Sequence, residues 1–138
     1  MIDFEITRDR SGVAIVTISG ELKASNCGYF FDCVRDLIDE GYREIIIDCE
    51  DIGFVSSHAW GKLVAARRSV MKNGGYIYLV YLKSNISEAL SLLRLDRLFG
   101  IYSSMSIALR KVKRRLIDHP MEPVESNKEF ATTFLMTN

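Results

Sequence analysis

Three consecutive isoleucines at positions 45–47 constrain the fold of this chain more than any other feature. A strand exposed on one side alternates apolar and polar residues, whereas an unbroken apolar run suits a strand covered on both faces. Such a strand belongs at the centre of a sheet, parallel to a neighbour, and parallel strands need crossover connections, which favours an α/β architecture. The same run continues through Asp48 into a short turn that delivers Ser56 and Ser57 to the start of a helix. A helix start offers unpaired N–H groups and the positive end of the macrodipole, so a serine there either caps the helix or carries an anionic group at little cost.

The flanking patterns complete an α/β order. Ile2 to Thr7 and Val13 to Ser19 cluster β-branched residues around Ser11-Gly12, which predicts a hairpin. Phe30, Cys33, Val34, Leu37 and Ile38 repeat at helical spacing in a first helix from about Ser25, stopped by Gly41. Ala59, Leu63, Ala66 and Val70 trace a second helix ending at Asn73-Gly74-Gly75, and Tyr76 to Leu82 reads as a strand. Ser84 or Asn85 is placed to cap a short third helix, Leu98 to Tyr102 predicts a last strand, and Ser103 or Ser104 opens a final helix. That helix has the apolar stripe Met105, Ala108, Leu109, Val112 and Leu116, with Arg110, Lys111, Lys113, Arg114 and Arg115 on the remaining face. The fold class is an α/β sandwich with a mixed central sheet, an N-terminal hairpin and about four helices. Residues 1–116 form the domain. Residues 117–138 are a linker with Pro120 and Pro123 and a tail with Phe130, Phe134, Leu135 and Met136, flexible or weakly docked.

At 138 residues, 48% of them apolar, the chain can bury a core without metal or disulfides. Cys27, Cys33 and Cys49 are odd in number and lack CxxC spacing, so they read as buried thiols. No apolar run approaches a membrane span, and Asp3 and Glu5 stand where a signal peptide would be basic and then apolar. A reducing cytoplasm is expected. The net charge of zero gives no global footprint for nucleic acid or an anionic membrane, and the basic face of the last helix reads as a solvated surface.

With these elements in this order, residues Ile2 to Leu116 resemble the STAS family, the sulfate-transporter and anti-sigma-factor-antagonist domain. Gly20-Glu21-Leu22-Lys23 stands at the family's Gly-x-Leu-Asp segment, Asp48 at the end of its apolar strand, and Leu95 to Tyr102 at the segment leading into its last helix. At the family's Asp-Ser-Ser-Gly turn this chain has Ser56, Ser57, His58 and Ala59. The resemblance implies an anti-sigma factor antagonist, a non-catalytic binding protein switched by phosphate on Ser57, with Ser56 as the alternative acceptor. It further implies an anti-sigma factor serine kinase and a cognate phosphatase as partners, with Lys23, Ser56, His58 and Trp60 in the contact surface, and is compatible with a homodimer. Trp60 borders the apolar stripe, and its helical phase suits either an exposed contact residue or one folded onto the sheet. His58 reads as a solvated first-turn residue or, when protonated, a donor to the phosphate. The alternative drawn from the same family is an unphosphorylated scaffold or a subunit of a larger assembly, stressosome-like or transporter-associated.

An enzyme built on Ser56 or Ser57 with His58, His119 and Asp48 is disfavoured. His58 adjoins Ser57 at a helix start, where their side chains diverge, and His119 precedes Pro120 outside the predicted domain. There is no GxSxG elbow, no metal-ligand spacing and no phosphate-cradling glycine loop, so no cofactor or metal is expected.

Overall fold

The computed structural model describes residues 2–119 and the backbone of the strand at 132–136. In chain order the elements are β1 (Ile2–Asp9), β2 (Val13–Leu22), α1 (Cys27–Asp39), β3 (Glu44–Val55), α2 (Ser57–Lys72), β4 (Tyr76–Val80), α3 (Ser84–Leu92), β5 (Gly100–Tyr102), α4 (Met105–Asp118) and β6 (Thr132–Met136). They build one mixed sheet in the order β5-β4-β3-β2-β1-β6. β1 pairs antiparallel with β2 and β6, and the pairings β2/β3, β3/β4 and β4/β5 are parallel.

The isoleucine run lies in β3, central and parallel to both neighbours, and its lack of alternation has a direct cause. Ile45 and Ile47 join the larger core cluster, with Phe30, Val34 and Leu37 of α1 and Leu63 of α2. Ile46 points the other way, into a smaller cluster with Tyr78, Val80, Ala108 and Val112 under α4. Both faces of the isoleucine run are therefore sealed by helices, one by α1, α2 and α3 and the other by α4. Gly41 (φ +103°) and Gly74 (φ +80°) end α1 and α2 in the left-handed region, where a side chain would be strained.

Several boundaries differ from the sequence-based expectation, each for a local reason. α1 opens at Cys27 rather than Ser25 because Asn26 is held in the preceding loop, its side chain accepting from Lys23 N (2.8 Å) and donating to Glu21 O (2.8 Å). β3 does not stop at Asp48; pairing with β2 resumes after two register shifts and carries it to Val55. The N-cap position of α3 is Lys83, not Ser84 or Asn85, and Asn85 Nδ2 instead donates to Gly53 O at 3.3 Å. Cys33 is half-buried on the edge of the α1 stripe, where a buried thiol was expected. The strand β6 was not anticipated, and Pro120, Pro123 and Phe130 lie outside the described residues.

α4 is pinned by a charge as well as by apolar packing. Glu44, buried to 1% exposure, accepts from Tyr78 Oη (2.6 Å) and Arg115 Nε (2.7 Å), and Arg115 also donates to Gly74 O (3.0 Å) and lies over the Tyr76 ring. Desolvation, with Glu44 alongside, pushes the Tyr78 hydroxyl far above its ordinary value and keeps it a donor. Arg115, expected on the solvated basic face, is thus spent on the fold. An Arg115→Ala variant leaves the Glu44 carboxylate buried without its cation. Its expected cost is about 2 kcal/mol in urea unfolding, less than for a wholly buried pair because Arg115 is partly exposed. Adding Glu44→Gln should recover most of that loss.

Burial pushes the Cys49 thiol up to about 12, from an ordinary value of 9.0. The folded chain holds this proton more tightly than the unfolded one. The resulting stabilisation is fully present below about pH 9 and is lost as pH rises towards about 12. Timed alkylation with mass spectrometry should label the half-buried Cys33 first and Cys49 only on unfolding.

Candidate functional site: the serine turn at the start of α2

The turn between β3 and α2 is fixed by backbone pairing before any side chain contributes. Ser56 N donates to Leu22 O (2.9 Å), which ties the turn to the end of β2. Ser56 is extended (φ −73°, ψ 162°), and its hydroxyl accepts from Ala59 N at 3.1 Å, the arrangement of an N-cap. Its carbonyl receives Trp60 N, the first hydrogen bond of the helix ladder.

Ser57 is the first helical residue and is exposed, and its hydroxyl has no partner among the described residues. The two serines therefore divide the roles that sequence alone left open: Ser56 caps, and Ser57 projects free. The amides of Ser57 and His58 lie ahead of the helix ladder, where orphan donors and the positive dipole end favour an anion. No acidic side chain occupies the first turn, and His58 beside Ser57 is exposed.

Lys23 lies in the β2–α1 loop, which the Ser56–Leu22 hydrogen bond joins to the serine turn. Lys23 Nζ stands 3.4 Å from a Glu21 carboxylate oxygen, but both side chains are more than half exposed, so the pair contributes little stability. The Lys23 charge remains available to solvent.

Trp60 takes the second of its two readings, folded onto the sheet, which removes it from the contact surface. It is only 4% exposed and belongs to the main core with Ala59 and Leu63, because α2 turns a wider stripe to the sheet than the Ala59-Leu63-Ala66-Val70 spacing implied. Its Nε1 is buried with no hydrogen-bond partner among the described residues.

The aromatic that does reach solvent near the serines is Phe54, 45% exposed, which the sequence reading did not single out. The register moves from Gly20↔Ile52 to Glu21↔Phe54, so β3 has an extra residue at Gly53. This bulge turns Phe54 away from the buried side occupied by Ile52. An isolated glycine inside a strand pattern was the available signal.

The remaining candidates do not converge. His119 follows α4 and is exposed, and no group of three or more His, Cys, Asp or Glu among the described residues could hold a metal. No helix among the described residues is long and apolar enough to cross a membrane.

Comparison with known proteins identifies the fold. A model of the STAS domain matches residues 6–108. A protein of Thermotoga maritima, provisionally named an anti-sigma factor antagonist, is 30% identical over 116 residues, spanning 83% of this chain and all of that one. The crystal structure of an anti-sigma factor antagonist from the same organism, likewise provisionally named, superposes with a TM-score of 0.75 at 29% identity, covering 80% of this chain and 95% of that one. The anti-sigma factor antagonist SpoIIAA in its unphosphorylated form shares the fold, with a TM-score of 0.71 at 16% identity over 80% of this chain and 96% of its own. Fold and family match coincide: the chain belongs to the STAS domain family.

Proposed function

We propose that this protein is an anti-sigma factor antagonist-like regulatory binding protein, switched by phosphorylation of Ser57 in a partner-switching pathway. The observation that carries the reading is the division of labour at the turn: Ser56 is spent on the cap while the Ser57 hydroxyl is exposed and uncommitted. The relatives named as anti-sigma factor antagonists support the role. The Bacillus SpoIIAA fold, solved also in a phosphorylated form, is matched with a TM-score of 0.64.

The physics of such a switch follows from the site. A phosphoserine brings close to two negative charges at neutral pH. At the first helical position the amides of Ser57 and His58 and the dipole offset that charge, so the fold tolerates it. A partner docking over it would bury a charge with no counter-ion, costing on the order of 3 to 5 kcal/mol. At about 1.4 kcal/mol per decade, that is at least a hundredfold loss of affinity.

In this reading the free hydroxyl form binds a serine-kinase anti-sigma factor and the phosphorylated form releases it until a phosphatase resets the serine. The contact surface is Ser57, His58, Lys23 and the rim of Ser56, with Phe54 taking the anchoring role that Trp60 is too deeply buried to play. The lysine at 23 and the missing acid at 56 point to a dedicated kinase whose surface differs from those serving other family members.

With a candidate kinase and ATP, mass spectrometry should place the phosphate on Ser57. Ser57→Ala should abolish it with a stability change within about 0.5 kcal/mol. Ser56→Ala should still be phosphorylated but lose about 1 kcal/mol in chemical unfolding with its cap. Ser57→Asp should weaken partner binding strongly, by calorimetry; if Ser57→Ala and Ser57→Asp both bind like the parent, an unphosphorylated scaffold is the better description. Phe54→Ala should reduce the same affinity about tenfold or more while leaving the melting temperature nearly unchanged.

A further inference from the structure

The sheet face beneath α4 is covered along only part of its length. On β1, β2 and β3 its residues fall into rows: Thr7, Ile15 and Ile46 form one, Glu5, Thr17 and Asp48 the next, and Asp3, Ser19 and Asp51 a third, with Glu21 and Phe54 paired beyond it. α4 packs over the Ile46 row, and the groove beside it is lined by Thr7, Ile15, Leu109 and Leu116. Among the described residues no helix lies over the β1, β2 and β3 members of the two further rows, although Val80, the β4 neighbour of Asp48, packs under α4; Thr17 and Asp51 are exposed, and Asp3, Ser19 and Asp48 are half-buried. None of these six positions is Lys or Arg, so the bare half of the face is acidic.

The covered half is its electrostatic opposite. The solvent side of α4 exposes Arg110, Lys111, Lys113 and Arg114, and Ile117, 77% exposed, lies on the same outer stripe as Arg110 and Arg114. A net charge of zero therefore hides a basic ledge standing beside an acidic floor on one face of the molecule.

We propose that this face docks a second copy of the same chain. A twofold axis lying between two facing sheets and perpendicular to their strands sets the α4 of each copy over the bare rows of the other. One rotation satisfies both contacts, as an isologous interface requires. The ledge fills the space above the partner's floor, the arginines meet Asp48 and Asp51, and Ile117 gains apolar cover at the contact. Complementary charge of this kind fixes register and speeds encounter more than it adds affinity, so the dimer should be moderate in strength and salt-sensitive. The surface borders Phe54 but does not include Ser57, and its test does not involve a kinase or a phosphate.

Sedimentation velocity on the full chain at low salt should show a dimer whose dissociation constant rises at least about tenfold on going to high salt. Arg110→Glu/Arg114→Glu and, separately, Thr17→Lys/Asp51→Lys should each be monomeric, with circular dichroism and thermal melting confirming the fold. An equimolar mixture of the two variants should form a heterodimer, because each reversed helix then faces a reversed floor in the other molecule. A parent chain that stays monomeric at low salt at submillimolar concentration overturns the proposal. So does a parent dimer that survives either charge reversal, or a mixture of folded variants that fails to associate.

Discussion

A strand buried on both faces must be covered twice, and the rest of this structure follows from meeting that demand for β3. One cover comes from α1, α2 and α3 and is almost wholly apolar. The other is α4 alone, with a smaller apolar cluster and the Glu44 carboxylate bound by Tyr78 and Arg115. Apolar contacts set how strongly α4 adheres but are tolerant of sliding. A buried carboxylate that must find a specific guanidinium penalises misregistration, and we assign the Glu44–Arg115 pair that role in positioning α4.

The candidate site inherits its rigidity from the same strand. β3 continues past Asp48 under backbone pairing with β2, so the turn carrying Ser56 and Ser57 is held at Ser56 N by the carbonyl of Leu22. That bond also couples the serine turn to the loop bearing Lys23. A surface used for recognition is better placed on such an extension of the sheet than on a free loop, since less ordering entropy is lost on docking.

The sequence carried the architecture where periodicity was strong. The hairpin around Ser11-Gly12, the both-faces burial of Ile45 to Ile47 and the stripes of α1 and α4 were all readable because apolar spacing reports which face is inward. What escaped were features set by tertiary pairing. Asn26 is committed to Lys23 and Glu21, and Asn85 reaches Gly53, neither of which local capping rules could reveal. The bulge at Gly53 turned Phe54 to solvent, because one inserted residue exchanges the two faces of a strand, while Trp60 went into the core on the wider buried stripe of α2. The division between Ser56 and Ser57 likewise depended on which residue is extended and which is already helical, a boundary finer than pattern reading can place.

The capping hydroxyl has a consequence for how such a turn diversifies. Aspartate and serine are nearly equivalent N-caps, so position 56 can exchange one for the other while the helix keeps its first-turn hydrogen bond. The exchange alters the charge beside residue 57 without disturbing the scaffold. Residue 56 is thus a free parameter: a place where the charge beside residue 57 can change while the architecture beneath stays constant.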